Sequence, residues 1–276
     1  MHISLIICTR NRAAPLQKCL EYVARLDNRH LMELVVVDNN STDDTARVIH
    51  EFSSQADFPV KYVKELVPGL SSARNAGIRS SQGEIIGFTD DDCYVEGDYL
   101  DALLRLFDGT SIGYATGRVR LYDPTDYPVT INESLDPLVI PANSYVRPGL
   151  VKGANMAFRR SALAAIDCFD TKFGSGSFFP AEDCDAAARA SLHGYVGVYA
   201  PELVVWHHHG RKEKDLEKLL TDYDIGRGAY HMKLLLTGRG LAPRLQGWIE
   251  FPKRIARRPR SGYLELRGAI KYVLVR

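Results

Sequence analysis

Short apolar runs alternate with amphipathic stretches through the first third of the chain. Residues 3–8 (ISLIIC) are rich in β-branched side chains and end in a polar turn, after which Leu16, Leu20, Val23 and Leu26 recur at helical spacing. The unit repeats with the strand 34–37 (LVVV), the turn 38–42, and a helix carrying Ala46, Val48, Ile49 and Phe52. Residues 60–63 predict a third strand. Ser71 or Ser72 caps a helix running to Ile78, and residues 85–88 predict a fourth strand before a helix around Tyr99–Phe107. Strands that are apolar through most of their length and alternate with helices imply an α/β fold whose central, mostly parallel sheet is covered on both faces. In such open sheets the ligand lies beyond the carboxyl ends of the strands. Three of those ends are polar here, at residues 9–12, 38–44 and 90–92, and they should converge on one crevice.

The second half is less regular. Residues 122–148 hold five prolines, and a segment of that kind, together with the glycine-rich 174–177, is expected to order over a ligand or shape its cleft. Residues 150–158 read as a strand, Glu182–Leu192 as a helix, and 203–206 as a short strand running into His207, His208 and His209. No internal repeat or low-complexity segment is present.

Composition narrows the class. A chain of 276 residues with 45% hydrophobic and 25% charged content suits one main domain with a tail. The six-residue first apolar run, followed by Thr9, Arg10, Asn11 and Arg12, reads as neither a signal peptide nor a membrane span, and places the chain in the cytoplasm. Five scattered cysteines without a CxxC pair read as reduced thiols in packing positions. The net charge of +1 conceals an asymmetry: from Arg239 onward ten basic residues face two acids, so a body of net −7 carries a tail of net +8. We divide the chain into 1–210 and a helical, basic extension over 211–276. In that extension Arg244, Lys253, Arg254, Arg257, Arg258 and Arg260 are interspersed with Leu245, Trp248, Ile249, Phe251 and Ile255. The mixture suits peripheral contact with an anionic membrane at the inner face of the plasma membrane, or a solvated tail packing a few apolar residues on the main domain. Basic residues outside the tail are balanced by acids, so nucleic acid is not an expected partner.

Asp90, Asp91 and Asp92 directly follow a buried strand, where carboxylates hold a hard divalent cation together with phosphate oxygens, or simply form an acidic turn. Asp38 ends another strand and is free to accept from a base or ribose, while Ser41 or Thr42 caps the next helix. Arg10, Arg12 and Arg74 lie near ligand-side ends, where guanidinium groups grip phosphate or sugar oxygens. Glu182 and Asp183 either favour the positive end of a helix dipole or supply a general base. His207 and His209 share one strand face, with His208 pointing away, and imidazoles there are candidate metal ligands or part of a polar turn.

Four stretches, Cys8-Thr-Arg-Asn-Arg12, Val37-Asp-Asn-Asn-Ser-Thr-Asp43, Phe88-Thr-Asp-Asp-Asp92 and Ala181-Glu-Asp-Cys-Asp185, with a looser fifth, Lys152-Gly-Ala-Asn-Met-Ala-Phe158, resemble the family 2 glycosyltransferases, inverting enzymes of the GT-A fold. The match covers residues 3–209 by order and spacing and leaves out the tail. The resemblance implies that Thr9 and Asp38 contact the base and ribose of a nucleotide, usually uridine, and that Arg74 also faces the nucleotide. It makes Asp92 the ligand of Mn²⁺ or Mg²⁺, with Asp90 nearer the ribose and Asp91 the variable middle position. Asp183 of the Glu182–Asp183 pair looks like the catalytic base, and His207, ahead of His209, like a further metal or diphosphate ligand. The chain lacks the Gln-x-x-Arg-Trp signature of processive synthases, so one sugar is expected per encounter.

The implied partners are a nucleotide diphosphate sugar donor and a saccharide or lipid-linked acceptor. Two rivals stand beside this reading: a metal-dependent nucleotidyltransferase and a nucleotide-sugar-binding module without turnover. A nicotinamide dehydrogenase is excluded, because no GxGxxG follows the first strand.

Overall fold

The computed structural model describes residues 2–237 and 240–275. Its first half alternates β1 (Ile3–Thr9), α1 (Ala13–Val23), β2 (Met32–Asp38), α2 (Thr45–Gln55), β3 (Val60–Lys64), α3 (Leu70–Ser80) and β4 (Ile85–Asp90). There follow β5 (Cys93–Val95), α4 (Tyr99–Phe107), β6 (Ile112–Leu121), β7 (Leu138–Ile140), β8 (Met156–Arg159), α5 (Arg160–Ala165), α6 (Glu182–Leu192) and β9 (Val196–His207). Four helices close the chain: α7 (Leu216–Thr237), α8 (Leu241–Ile249), α9 (Phe251–Arg257) and α10 (Pro259–Val275).

One sheet runs in the order β3-β2-β1-β4-β8-β6-β9-β5, with β7 on β9. The pairs among β3, β2, β1 and β4 are parallel, whereas β8 lies antiparallel between β4 and β6. The parallel half matches the sequence reading and the other half is mixed. β1, β2 and β4 are apolar through most of their length because both faces are covered. Ile3, Leu5 and Ile7 meet Leu16 and Leu20 of α1 and Leu103 of α4, while Ile6 and Val35 face Ala73 of α3 and Ala187 of α6. Cys19, Cys93 and Cys184 are buried free thiols, in keeping with packing roles.

Three local expectations are corrected. The strand foreseen over 150–158 begins only at Met156, because Asn155 is fully buried and needs partners of its own. Its Nδ2 donates to the carbonyls of Arg118 (2.8 Å) and Leu203 (2.9 Å), and its Oδ1 accepts from Tyr99 Oη (2.9 Å). Those carbonyls lie where the β6–β9 register jumps, so one side chain replaces the lost ladder bonds. Neither Ser71 nor Ser72 caps α3. Gly69 does, with φ 125°, a conformation that favours glycine, and Ser71 Oγ donates instead to Phe173 O at 2.6 Å. Ser41 and Thr42 do not cap α2 either; the Asp43 carboxylate accepts from the backbone nitrogen of Thr45 at 3.1 Å.

Two prolines of the tail open helices: Pro252 lies in the first turn of α9 and Pro259 begins α10, where no intrahelical N–H is lost. α7 is anchored to the sheet domain. Buried Lys233 reaches Asp170 and Asp185, each at 2.7 Å, and Tyr230 Oη donates to Val146 O at 2.6 Å. α7 and α10 cross at glycines, so that a methyl group on Gly228 would fall on the carbonyl oxygen of Glu265. Gly228→Ala is therefore expected to cost about 1–3 kcal/mol through overpacking. Calorimetry checks this, and an unchanged Tm would mean that the helices separate freely. Among the described residues no helix is long and apolar enough to cross a membrane.

Candidate active site

Strand register brings the polar ends together. Thr9 ends β1 opposite Asp38 of β2, and Cys8 lies opposite Asp90 of β4. β1 thus sits where the strand order reverses, with β2 on one side and β4 on the other. Beyond β4 the three carboxylates diverge. Asp91 turns inward, 6% exposed, and accepts from Thr9 Oγ1 (2.7 Å) and Arg12 Nε (2.8 Å). Burial pushes the Asp91 carboxyl up to about 6 against the pull of Arg12. Asp92 accepts from Arg12 Nη2 at 2.6 Å through Oδ2, and its Oδ1 lies 3.3 Å from His207 Nε2. Burial alone would raise Asp92, but His207 and Arg12 outweigh it and hold the carboxyl below its usual range.

The last strand delivers the histidine. β9 pairs antiparallel with β5, setting His207 opposite Cys93, and the His208 amide donates to Asp92 O at 2.9 Å. Ligand atoms of Asp90, Asp92, Cys93 and His207 all lie within 4.8 Å of one another. Burial raises the Cys93 thiol well above its ordinary value, and a soft sulfur suits a hard divalent cation less than oxygen or imidazole does. The usable donors are two carboxylates and an imidazole, a set that can hold a divalent cation. Alternation works as expected: the His207 and His209 rings stand 5.0 Å apart, whereas His208 Nδ1 lies 3.0 Å from Tyr94 Oη. His209 Nδ1 is used by the Arg211 amide at 3.0 Å. A second acidic group, Asp123, Asp126 and His208, has its Asp126 taken up by Lys212 (2.7 Å) and the Gly210 amide (2.8 Å), and it shapes the loop after β9.

Glu182 and Asp183 open α6. Ala181 before them has φ 94°, a strained backbone for a residue with a Cβ, and fixes the angle at which the pair enters the crevice. Arg74, 2% exposed, donates to Glu182 Oε1 at 2.7 Å, and its Nη2 lies 3.6 Å from Asp90 Oδ1. This one guanidinium links the carboxylates that follow β4 to those that open α6. Asp183 accepts from the Gly153 amide (2.9 Å) and its neighbour Cys184 (2.7 Å), yet burial and the adjacent Glu182 charge push it up to about 6. A carboxylate poised there can take a proton near neutral pH.

Two placements differ from expectation. Asp38 is not a free acceptor: Oδ1 takes the Ser41 amide at 2.7 Å and Oδ2 takes Tyr62 Oη at 3.0 Å, so only its remaining lone pairs face a ligand. Arg10 is exposed at the rim, whereas Arg12 is tied to Asp91 and Asp92. Gly153, Tyr62 and Thr130, whose Oγ1 lies 3.4 Å from His207 Nδ1, escaped the sequence reading as site residues. Only Gly153 had a signal, in the Lys152-Gly-Ala-Asn stretch.

This sheet order and cluster define a GT-A-type nucleotide-sugar transferase fold. The mannosyltransferase PcManGT from Pyrobaculum calidifontis, solved with GDP-Man and Mn²⁺, superposes with a TM-score of 0.72 at 20% identity, over 95% of this chain and 73% of that one. S. aureus TarS 1-349 in complex with UDP-GlcNAc gives 0.71 at 18% identity, over 94% and 73% of the two chains. The sequence model of glycosyl transferase family 2 matches residues 4–169, and the chain belongs to that family. Glycosyltransferase AglE of Haloferax volcanii is 27% identical over 236 residues, 84% of this chain and 74% of the relative.

Proposed function

We propose that the chain is an inverting, metal-dependent enzyme that moves one sugar from a nucleotide diphosphate sugar, UDP-linked, to a hydroxyl of a lipid-linked or polysaccharide precursor at the inner face of the plasma membrane. The observation that carries this reading is the Arg74 link between two carboxylate groups, Asp90 with Asp92 and Glu182 with Asp183, on opposite sides of one crevice. The complexes of PcManGT with GDP-Man and Mn²⁺ and of TarS with UDP-GlcNAc support a donor of this class.

Asp92 and His207 would hold the cation, with Asp90 beside them; an imidazole among carboxylates suits Mn²⁺ better than Mg²⁺, which prefers oxygen. Bound there, it supplies Lewis acidity to the departing diphosphate. Thr9, Asp38 and the rim arginines Arg10 and Arg12 face the nucleotide in this reading. Arg12 leaves its present partners to do so. Asp183 takes the acceptor proton as that oxygen bonds to the anomeric carbon, and the bond from that carbon to the diphosphate oxygen breaks on the opposite face. Glu182, paired with Arg74 at 2.7 Å, positions Asp183. Residues 1–210 carry this chemistry, and the helices of 211–276 serve acceptor delivery.

Thermal shifts with UDP, GDP, dTDP, CDP and their sugar conjugates, each with and without Mn²⁺, test the donor site. A nucleotide at about 100 times its Kd adds about 2.7 kcal/mol of stability. Asp92→Ala is expected to lose the Mn²⁺-dependent part of the UDP shift and most turnover. A variant that keeps the full metal-dependent shift would remove Asp92 from the ligand set.

A further inference from the structure

The sequence points to residues 244–260 as the membrane-facing segment, but three of its anchors are turned inward. Arg244 donates to Leu235 O at 2.9 Å, Trp248 Nε1 to His231 O at 3.2 Å, and Arg254 to the buried Glu265 carboxylate at 3.0 Å. The free surface lies on α10. Tyr263, Leu266, Ile270, Val273 and Leu274 are 63%, 44%, 53%, 52% and 79% exposed. Their spacing of three, four, three and one places them in a single stripe about 100° wide, the width of a face made to be covered. The opposite face, with Leu264, Glu265, Gly268, Ala269 and Tyr272, is already buried. Scattered exposed apolar side chains are ordinary on a protein surface, but a continuous stripe marks a contact.

Charge decides what covers it. Arg260, Arg267 and Lys271 follow one flank of the stripe, and α9 adds exposed Lys253, Arg257 and Arg258. Among the described residues, Arg267, Lys253, Arg257 and Arg258 have no ion-pair partner, and Glu250, between α8 and α9, is the one exposed acid from α8 to α10. A two-fold contact with a second copy would bring like-charged flanks together. An anionic lipid surface complements both the stripe and its flank.

We propose that α10 lies in the plane of an anionic membrane surface, its stripe in the lipid interface and its basic flank on the headgroups. The basic flank also touches the loop that leads to Glu182 and Asp183. Lys271 Nζ lies 3.4 Å from Phe178 O and 5.9 Å from the centroid of that ring, and Phe178 is 53% exposed on the loop leading to Glu182 and Asp183. A lipid-linked acceptor held in the same surface would present its headgroup beside the base. That purpose rests on the proposed function, whereas the binding itself does not.

Flotation of the full chain with phosphatidylcholine–phosphatidylglycerol vesicles, against phosphatidylcholine alone, tests the surface without donor or acceptor. We expect binding to the anionic vesicles only, weakened at least tenfold by Ile270→Asp with Leu274→Asp and about fivefold by Arg267→Gln. Both variants should keep the wild-type Tm and the wild-type thermal shift with the donor nucleotide, which separates a failed surface from a failed active site. Equal flotation by the wild type and the double variant overturns the proposal. So does binding that ignores lipid charge, or a wild-type dimer in light scattering that the double variant dissolves.

Discussion

Asp183→Asn is expected to lower sugar transfer by about 10²–10⁴ while leaving the metal-dependent binding of nucleotide intact. The proton acceptor is removed, while an asparagine oxygen still accepts from one of the two amides, Gly153 or Cys184, that hold the carboxylate. Wild-type transfer should rise with pH through about 6 and then level, as burial and the Glu182 charge place Asp183 there. The sign of the stability effect follows from the same shift. The folded value lies above the ordinary 3.8, so below 3.8 both states are protonated and nothing is lost, whereas between there and about 6 folding must return to Asp183 a proton that the unfolded chain has released, a cost that grows until the buried group itself ionises. The variant has no such charge. Measured without metal, its stability relative to wild type should therefore improve from acid to neutral pH by on the order of 1–3 kcal/mol, less about 1 kcal/mol at every pH for the amide left unpaired. Transfer by the variant at the wild-type rate would put the base elsewhere.

Arg74→Met should be the most destabilising single change in the crevice. It leaves the Glu182 carboxylate, now 2.7 Å from a guanidinium, buried without a counter-charge, and deprives Asp90 of its neighbour at 3.6 Å. Breaking a buried pair from one side costs about 3–5 kcal/mol, or roughly 10 °C in Tm for a chain of this size. Adding Glu182→Gln removes the stranded charge and should recover more than half of the loss, while transfer stays low because Asp183 has lost its setting. Additive losses in that cycle, measured by denaturant unfolding, would show that Arg74 and Glu182 do not act as a pair.

The donor side of the crevice was legible because it is built locally. β1, β2 and β4 are mostly apolar, and each ends in a polar residue at the mouth, so Thr9, Asp38 and Asp90 could be placed from the pattern alone. The base side was legible as a motif but not as a contact: Arg74 and Glu182 are 108 positions apart, and only the packing of α3 against the loop before α6 brings them together. His207 needed the β5–β9 register, which no local signal encodes. The start of β8 was missed for a related reason, since Asn155 answers carbonyls on β6 and β9 rather than its own neighbours. Asp38 looked free because Tyr62, on the adjacent strand, gives no sign in sequence of reaching it.

The closing of α10 over the loop before α6 ties one half of the site to a distant part of the chain. Phe173 and Phe179 find part of their apolar cover in Tyr272, each with ring centroids 6.0 Å away. The strand ends at Thr9, Asp38 and Asp90 are set by neighbours within the parallel half of the sheet, whereas the loop that leads to Glu182 and Asp183 leans on a helix far downstream. A change on the inner face of α10 can therefore disturb one half of the site and leave the other in place.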